Sequence, residues 1–254
     1  MRKRLLSMLL CFVLAVGLLP TAAFATEGSA TDKTIMLGTN GISDPVKTTV
    51  DGKGNYWTPS DYIYFGVNSG DNSTPIKWRV LDVDTANDGT TSGMFLLSEY
   101  LLASGVKFNN GKSDGNGYQG SAAQTWCTDF AGNANNFSTA EQGAMLAVNK
   151  SDSAGKLYNI SWGVSELKND KLFFLSTREL ADYVGNYDGA PGLCAKDTTD
   201  AQSAGEWRLR SPNANENSLA GTVNCFGTIN IEGVSKALAA RPAFNLGQRR
   251  IIWS

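Results

Sequence analysis

The chain has 254 residues, 42% hydrophobic and 18% charged, with 22 basic against 24 acidic side chains and no histidine. That length and apolar content suffice for a proper core and exclude a disordered stalk, and the slightly acidic balance excludes the basic footprint of a nucleic-acid binder. The missing histidine removes Ser-His-Asp and Cys-His catalysis, HExxH zinc sites and the usual proton shuttle near neutral pH.

Residues 1–25, MRKRLLSMLLCFVLAVGLLPTAAFA, run from a basic start through an apolar stretch to Ala23-Phe24-Ala25, the small-x-small form of a signal-peptidase site. The expectation is a secreted or cell-wall-associated protein cleaved after Ala25. Cys11 lies inside the apolar stretch and not at the cleavage site, which argues against a lipid anchor, and no later segment approaches the ~20 apolar residues of a membrane span. Losing Arg2, Lys3 and Arg4 leaves 19 basic residues against 24 acidic ones, a net charge of −5.

Residues 26–34 read as a flexible lead and 35–254 as one α+β domain. TIMLG (34–38) predicts a first strand, followed by a long irregular Gly-rich loop. YIYFGV (62–67) predicts a strand. PIKWRVLDVD (75–84) and MFLLS (94–98) predict a hairpin joined by the polar turn TANDGTTSG. Asp82, Asp84, Asp88 and Gly89 resemble a calcium loop, but counting from Asp84 places Ala86 third and Phe95 twelfth, where oxygen donors are required, so an ordinary turn is expected.

The middle of the chain predicts helices. Ser121 caps AAQTWCTDFAG, with Trp126, Cys127 and Phe130 on one core-facing side. Ser138-Thr-Ala-Glu141 and Ser176-Thr-Arg-Glu179 are capping boxes, in which side chains satisfy free backbone donors at a helix start. MFLLSEYLL (94–102) and LFFLSTREL (172–180) echo each other, and each predicts a buried strand turning straight into a short helix. The last third, from EWRLRSP (206–212) through GTVNCFGTINIEG and ALAARPAFNL to RRIIW, predicts short strands with glycine turns. The mature cysteines Cys127, Cys194 and Cys225 are odd in number and widely spaced, so one bridge with a free thiol and three reduced thiols both stay open. Three reduced thiols are the expectation for a secreted protein of an anaerobe.

PIKWRVLDVD, MFLLSEYLL, AQTWCTDFAG, FSTAEQGAML, KLFFLSTRELADYV, WRLRSP and ARPAFNL, in that order from about Ile35 to Leu246, resemble a family of secreted clostridial (Firmicutes) proteins known as domain of unknown function 6273. Arg208 departs from that family's late block, which has a second tryptophan there. The family's block continues beyond R-P-A-F-N-L, so the ending at Ser254 is expected to be naturally short or truncated. The resemblance implies a C-type-lectin-like single domain with short mixed strands, two or three helices and a β-rich C-terminal third. Its structural signature maps onto Trp78, Trp126, Arg210, Ser211, Arg241 and Pro242, with Arg210 and Arg241 expected to pair with carboxylates or loop carbonyls.

The chemistry of fold relatives does not carry over. Formylglycine-generating enzymes share a close pair of cysteines near the C-terminus, and Cys194 and Cys225 are too far apart in sequence to match it. Calcium lectins use E-P-N with a downstream W-N-D; here Ser211 replaces the acid before Pro212-Asn213 and no W-N-D follows. No metal or cofactor is therefore expected.

The favoured function is a non-catalytic binding or adhesion module for a glycan or surface protein. Its candidate contacts are Asn213, Asn215, Glu216, Asn217, Asn224 and Asn230, with Trp207 as a stacking platform. Weighed against this are turn asparagines and a core tryptophan with no ligand role. Further alternatives are a carbohydrate-active enzyme with two carboxylates from Glu99, Glu141, Glu179, Glu206, Glu216 and Glu232, a ligand-free spacer in a surface assembly, and a diversified display surface built on the asparagine-rich hairpin.

Overall fold

A computed structural model describes residues 42–83, 93–196 and 204–247. The signal segment, the strand at 34–38, the turn with Asp84, Asp88 and Gly89, and RRIIW lie outside the described residues. The elements in chain order are β1 (Val46–Val50), β2 (Gly54–Thr58), β3 (Tyr62–Asn68), β4 (Thr74–Asp82), β5 (Met94–Ser98) and β6 (Ala103–Val106). Next come α1 (Ala122–Gly132), α2 (Thr139–Ala144), β7 (Met145–Leu146), β8 (Val148–Asp152), β9 (Gly155–Leu157), β10 (Ile160–Trp162), β11 (Ser165–Asp170), β12 (Leu172–Phe174) and α3 (Thr177–Tyr183). The last group is β13 (Ala195–Lys196), β14 (Ala204–Gly205), β15 (Trp207–Pro212), β16 (Leu219–Val223), β17 (Ile229–Gly233), β18 (Leu238–Ala240) and β19 (Pro242–Leu246). The described chain is mostly strand, with three short α-helices.

Two larger sheets organise these elements. The first runs β12-β19-β5-β4-β3, with β7 also on β19, and the second runs β17-β16-β15-β18-β6. The expected hairpin of β4 and β5 forms, with Trp78 opposite Ser98 and Val80 opposite Leu96. β5 and β19 are buried at every position, as continuous apolar runs in a sheet covered on both faces must be. Trp78 donates its indole N–H to the Phe65 carbonyl at 2.8 Å and meets the Phe244 ring edge-on at 4.7 Å. On α1, Trp126 stacks on Phe130 and on Phe174 of β12, at 5.0 and 5.9 Å, and Cys127 is fully buried. The expected core side of that helix is the one that packs.

All three helix starts use the predicted serines. Ser121, Ser138 and Ser176 accept from the backbone N–H three residues on, and Glu141 and Glu179 return the bond to complete two capping boxes. The echo at 94–102 behaves differently. After Ser98 the chain bends and then enters β6 without a helix. Position 101 is Leu, so no carboxylate reaches back to the cap, and Glu99 instead binds Arg79 at 2.7 Å.

The stretch expected as irregular loop contains the β1–β2 hairpin. Its threonines, valines and aromatic pair favour strand, and Gly52, at φ 69°, makes the turn. Polar residues are tolerated because the ribbon is only partly covered: Val46 is exposed, and Lys47 lies over the Trp57 ring at 5.5 Å. The region 148–170 carries no sequence expectation, yet it forms two nested antiparallel ribbons, the β9–β10 hairpin inside the β8–β11 pair. Tyr158 and Asn159 sit at φ 52° and 61° in the tight β9–β10 turn.

Candidate functional site

β15 is buried at all six positions because neighbouring strands and α3 cover both of its faces. Both strand faces therefore end in the interior, and each arginine needs internal partners. Arg210, with no exposure, donates to the Phe174 carbonyl at 2.8 Å, to Asp152 Oδ2 at 2.5 Å and to Glu179 Oε2. Lys150 reaches Glu179 at 2.9 Å and Asp152 at 3.4 Å, so two cations face two carboxylates. Burial alone would raise the Glu179 carboxyl, but Arg210, Lys150 and hydrogen bonds from Arg210 and Ser176 outweigh it and bring the group down to about 2. A carboxylate held that firmly ionised is an anchor and a poor proton donor.

Arg241 occupies the joint where the chain passes from β18 in one sheet to β19 in the other. It donates to the carbonyls of Ser98 at 3.0 Å and Gly192 at 2.7 Å, and its guanidinium lies 4.9 Å from the Trp207 ring centre. Burial, and then the nearby Arg79, disfavour its charge, which the two carbonyls and the aromatic face offset. Arg208, standing where a second tryptophan was expected, donates to the carbonyls of Gly233 and Lys236. Ser211 accepts from the Thr177 amide at 2.9 Å, and Pro242 opens β19 opposite Phe174.

The candidate ligand residues do not share one surface. Trp207 is fully buried and its indole N–H is bound to the Leu193 carbonyl at 3.0 Å, so it offers no stacking platform. Asn213 is also buried; its Oδ1 accepts the amides of Asn215 and Glu216 at 3.0 and 2.9 Å, which shapes the turn. Asn224 does the same for Phe226 and Thr228, both at 2.9 Å. Asn215, Glu216 and Asn217 are exposed at the Leu219 end of β16, whereas Asn224 follows its Val223 end and Asn230 pairs with Thr222. The five residues of β16 separate the two groups by roughly 17 Å.

The 213–219 turn is tied through Asn116 to a segment that forms a cleft outside the predicted site residues. Asn116 donates to the carbonyls of Asn213, Glu216 and Leu219 at 2.9, 3.0 and 2.8 Å, joining the turn to the segment 109–121. That segment and the start of α1 form an open cleft of about 470 Å³, lined by Asn109, Asn110, Asp114, Gly117, Gln119, Gly120, Ser121, Ala122 and Thr125. Its walls are fixed from behind. Asn109 accepts from the Ala122 amide at 3.1 Å and donates to the Gly115 carbonyl at 2.9 Å, while Gln119 and Gln124 both bind the buried Asp170. Asn110, Asp114 and Thr125 face solvent. Asp114 is the sole ionisable residue among those lining the cleft. The sequence signal that could have found this place is the density of amides and glycines in NNGKSDGNGYQGS (109–121) before a capped helix.

Residues 91–248, more than half of the chain, match the family described as Domain of unknown function (DUF6273). The chain belongs to this family. The resemblance read from the sequence reaches back to Ile35, whereas the DUF6273 match begins after β4. No curated protein and no solved structure matches the chain.

Within this DUF6273 member, the six glutamates weighed as a catalytic set are each engaged elsewhere, and none lines the cleft. Glu99 binds Arg79, Glu141 and Glu179 close capping boxes, Glu216 accepts from Ser218 at 2.9 Å, and Glu206 and Glu232 share Lys236 at 2.9 Å each. Among the described residues no group of three or more His, Cys, Asp or Glu side chains is placed to hold a metal ion. No helix among them is long and apolar enough to cross a membrane.

Proposed function

We propose that this protein is a secreted or cell-wall-associated, non-catalytic binding module that takes an uncharged glycan in the cleft formed by residues 109–125. The carrying observation is the cleft itself, of about 470 Å³ and walled by side-chain amides, hydroxyls and glycine backbone. Its volume falls within the range of small-molecule sites, and amides and hydroxyls both donate and accept, as sugar hydroxyls require. Having one ionisable residue among those lining it, the cleft favours a neutral ligand over a strongly charged one. The engaged state of the six glutamates supports binding without hydrolysis.

Export and a C-type-lectin-like fold belong to the same proposal. They are supported by the leader ending in Ala23-Phe24-Ala25 and by the order of WRLRSP, a glycine-rich hairpin and Arg241-Pro242-Ala243-Phe244. The test is a glycan array followed by titration calorimetry on the full chain and on Asn110→Ala and Thr125→Val, two exposed cleft positions. Binding of a neutral oligosaccharide, weakened tenfold or more in either variant, is expected. Absence of any glycan binding by the folded protein, or binding by both variants as tight as that of the unaltered chain, overturns the assignment.

A further inference from the structure

We propose that Cys194 and Cys225 form a reversible intramolecular disulfide that staples the segment before β13 to the β16–β17 turn. The two residues are 31 positions apart in sequence, yet the Cys194 thiol donates to the Cys225 carbonyl oxygen at 2.7 Å. Standard bond lengths limit their Cα separation to roughly 8 Å even if the thiol and carbonyl pointed straight at one another, and any bend brings them closer. Disulfides span about 4.4–6.8 Å between Cα atoms, and that bound overlaps the range a bridge requires.

The surrounding backbone already holds this geometry. Gly189 donates to the Gly227 carbonyl at 2.9 Å, and the Ile229 amide donates to Asp188 Oδ1 at 3.0 Å. Gly227, at φ 77°, lies so close to the neighbouring segment that a Cβ there would sit 3.4 Å from the Cys194 amide nitrogen. Ring closure therefore orders little that is not ordered beforehand. The third thiol provides a contrast, because Cys127 is buried whereas Cys194 is exposed and Cys225 half-buried. Burial also pushes the Cys127 thiol well up, which suppresses its reactive thiolate.

The co-reactant is a low-molecular-weight disulfide, or the disulfide of an exported oxidoreductase. The Cys194 thiolate attacks one of its sulfurs and expels a thiol, leaving a mixed disulfide. The Cys225 thiolate then attacks the Cys194 sulfur and expels the second thiol. Two cysteine thiols are oxidised, one external disulfide is reduced to two thiols, and the two cysteine protons pass to the leaving thiolates. The staple fixes the turn that presents Phe226, which is 79% exposed.

The test is incubation of the native full chain with oxidised glutathione, acid quenching, alkylation and peptide mapping by mass spectrometry. A cross-linked pair of peptides carrying Cys194 and Cys225 is expected, with Cys127 alkylated only after denaturation. The thermal midpoint should rise by several degrees, because the bridge closes a long loop in the unfolded chain. Cys225→Ser should stop at a glutathione adduct on Cys194. Separate adducts on both cysteines of the unmodified chain, both thiols still alkylated, or a link from Cys194 to any other cysteine or to a second chain would each overturn the proposal.

Discussion

Replacing Arg210 by Met removes one of two cations that face two buried carboxylates and leaves Lys150 alone against Asp152 and Glu179. Breaking a buried ion pair from one side costs about 3–5 kcal/mol, because the orphaned charge remains in the interior. For a chain of this size each kcal/mol lowers the thermal midpoint by about 2–4 °C, so a drop of roughly 6–20 °C is expected by circular dichroism at pH 7. Arg210→Lys should fall between wild type and Met, since one ammonium cannot span two carboxylates and the Phe174 carbonyl as the guanidinium fork does. The charge argument makes a sharper demand on the double variant. Adding Asp152→Asn to Arg210→Met restores one cation to one anion, so the double variant should be more stable than the sum of the two single losses predicts. Additive losses, or an Arg210→Met midpoint equal to that of wild type, would refute the network as described.

Acid should weaken the fold through Glu179, whose carboxyl sits at about 2 instead of its ordinary 4.5. The unfolded chain binds that proton more readily, so the contribution is complete above about pH 4.5 and fades as pH falls toward 2; chemical denaturation midpoints between pH 5 and 2 measure it. Gly66→Ala places a Cβ into the Phe137 ring at φ 68°, and the combined strain and overlap should cost about 2–4 kcal/mol, read from urea midpoints. Ser176→Ala loses the cap of α3 and should cost about 1 kcal/mol in the same assay. Asn116→Ala frees the carbonyls of the 213–219 turn, and amide hydrogen exchange should accelerate there while β5 and β19 keep their protection.

Local rules located the parts of this fold that local chemistry decides. The serine caps and the buried MFLLS and LFF runs depend on residues within a few positions of each other, and the β4–β5 hairpin joins two strands consecutive in the chain. The β1–β2 hairpin is harder to read because its strands are polar and half-covered, and its local strand preference is reinforced by docking on residues 184–186. The helix expected after Ser98 failed on one missing glutamate. At the site the difficulty was greater, since the role of an asparagine depends on where its amide points. Asn213 and Asn224 are spent on turning their own backbone, Trp207 lies beneath Arg241, and the cleft is assembled from a segment whose own sequence pattern is merely polar. Five strand residues look short in sequence yet hold the two ends of β16 roughly 17 Å apart.

The position of β19 has a consequence for how the chain matures. This strand, encoded almost at the end of the described chain, lies between β12 and β5, and also takes β7, in the first sheet. Until residues 242–246 leave the ribosome, β5 and β12 both keep a bare, apolar edge. The first sheet can therefore close only once residues 242–246 have been made. Throughout the interval before β19 arrives, those two edges are open to pairing with the wrong strand.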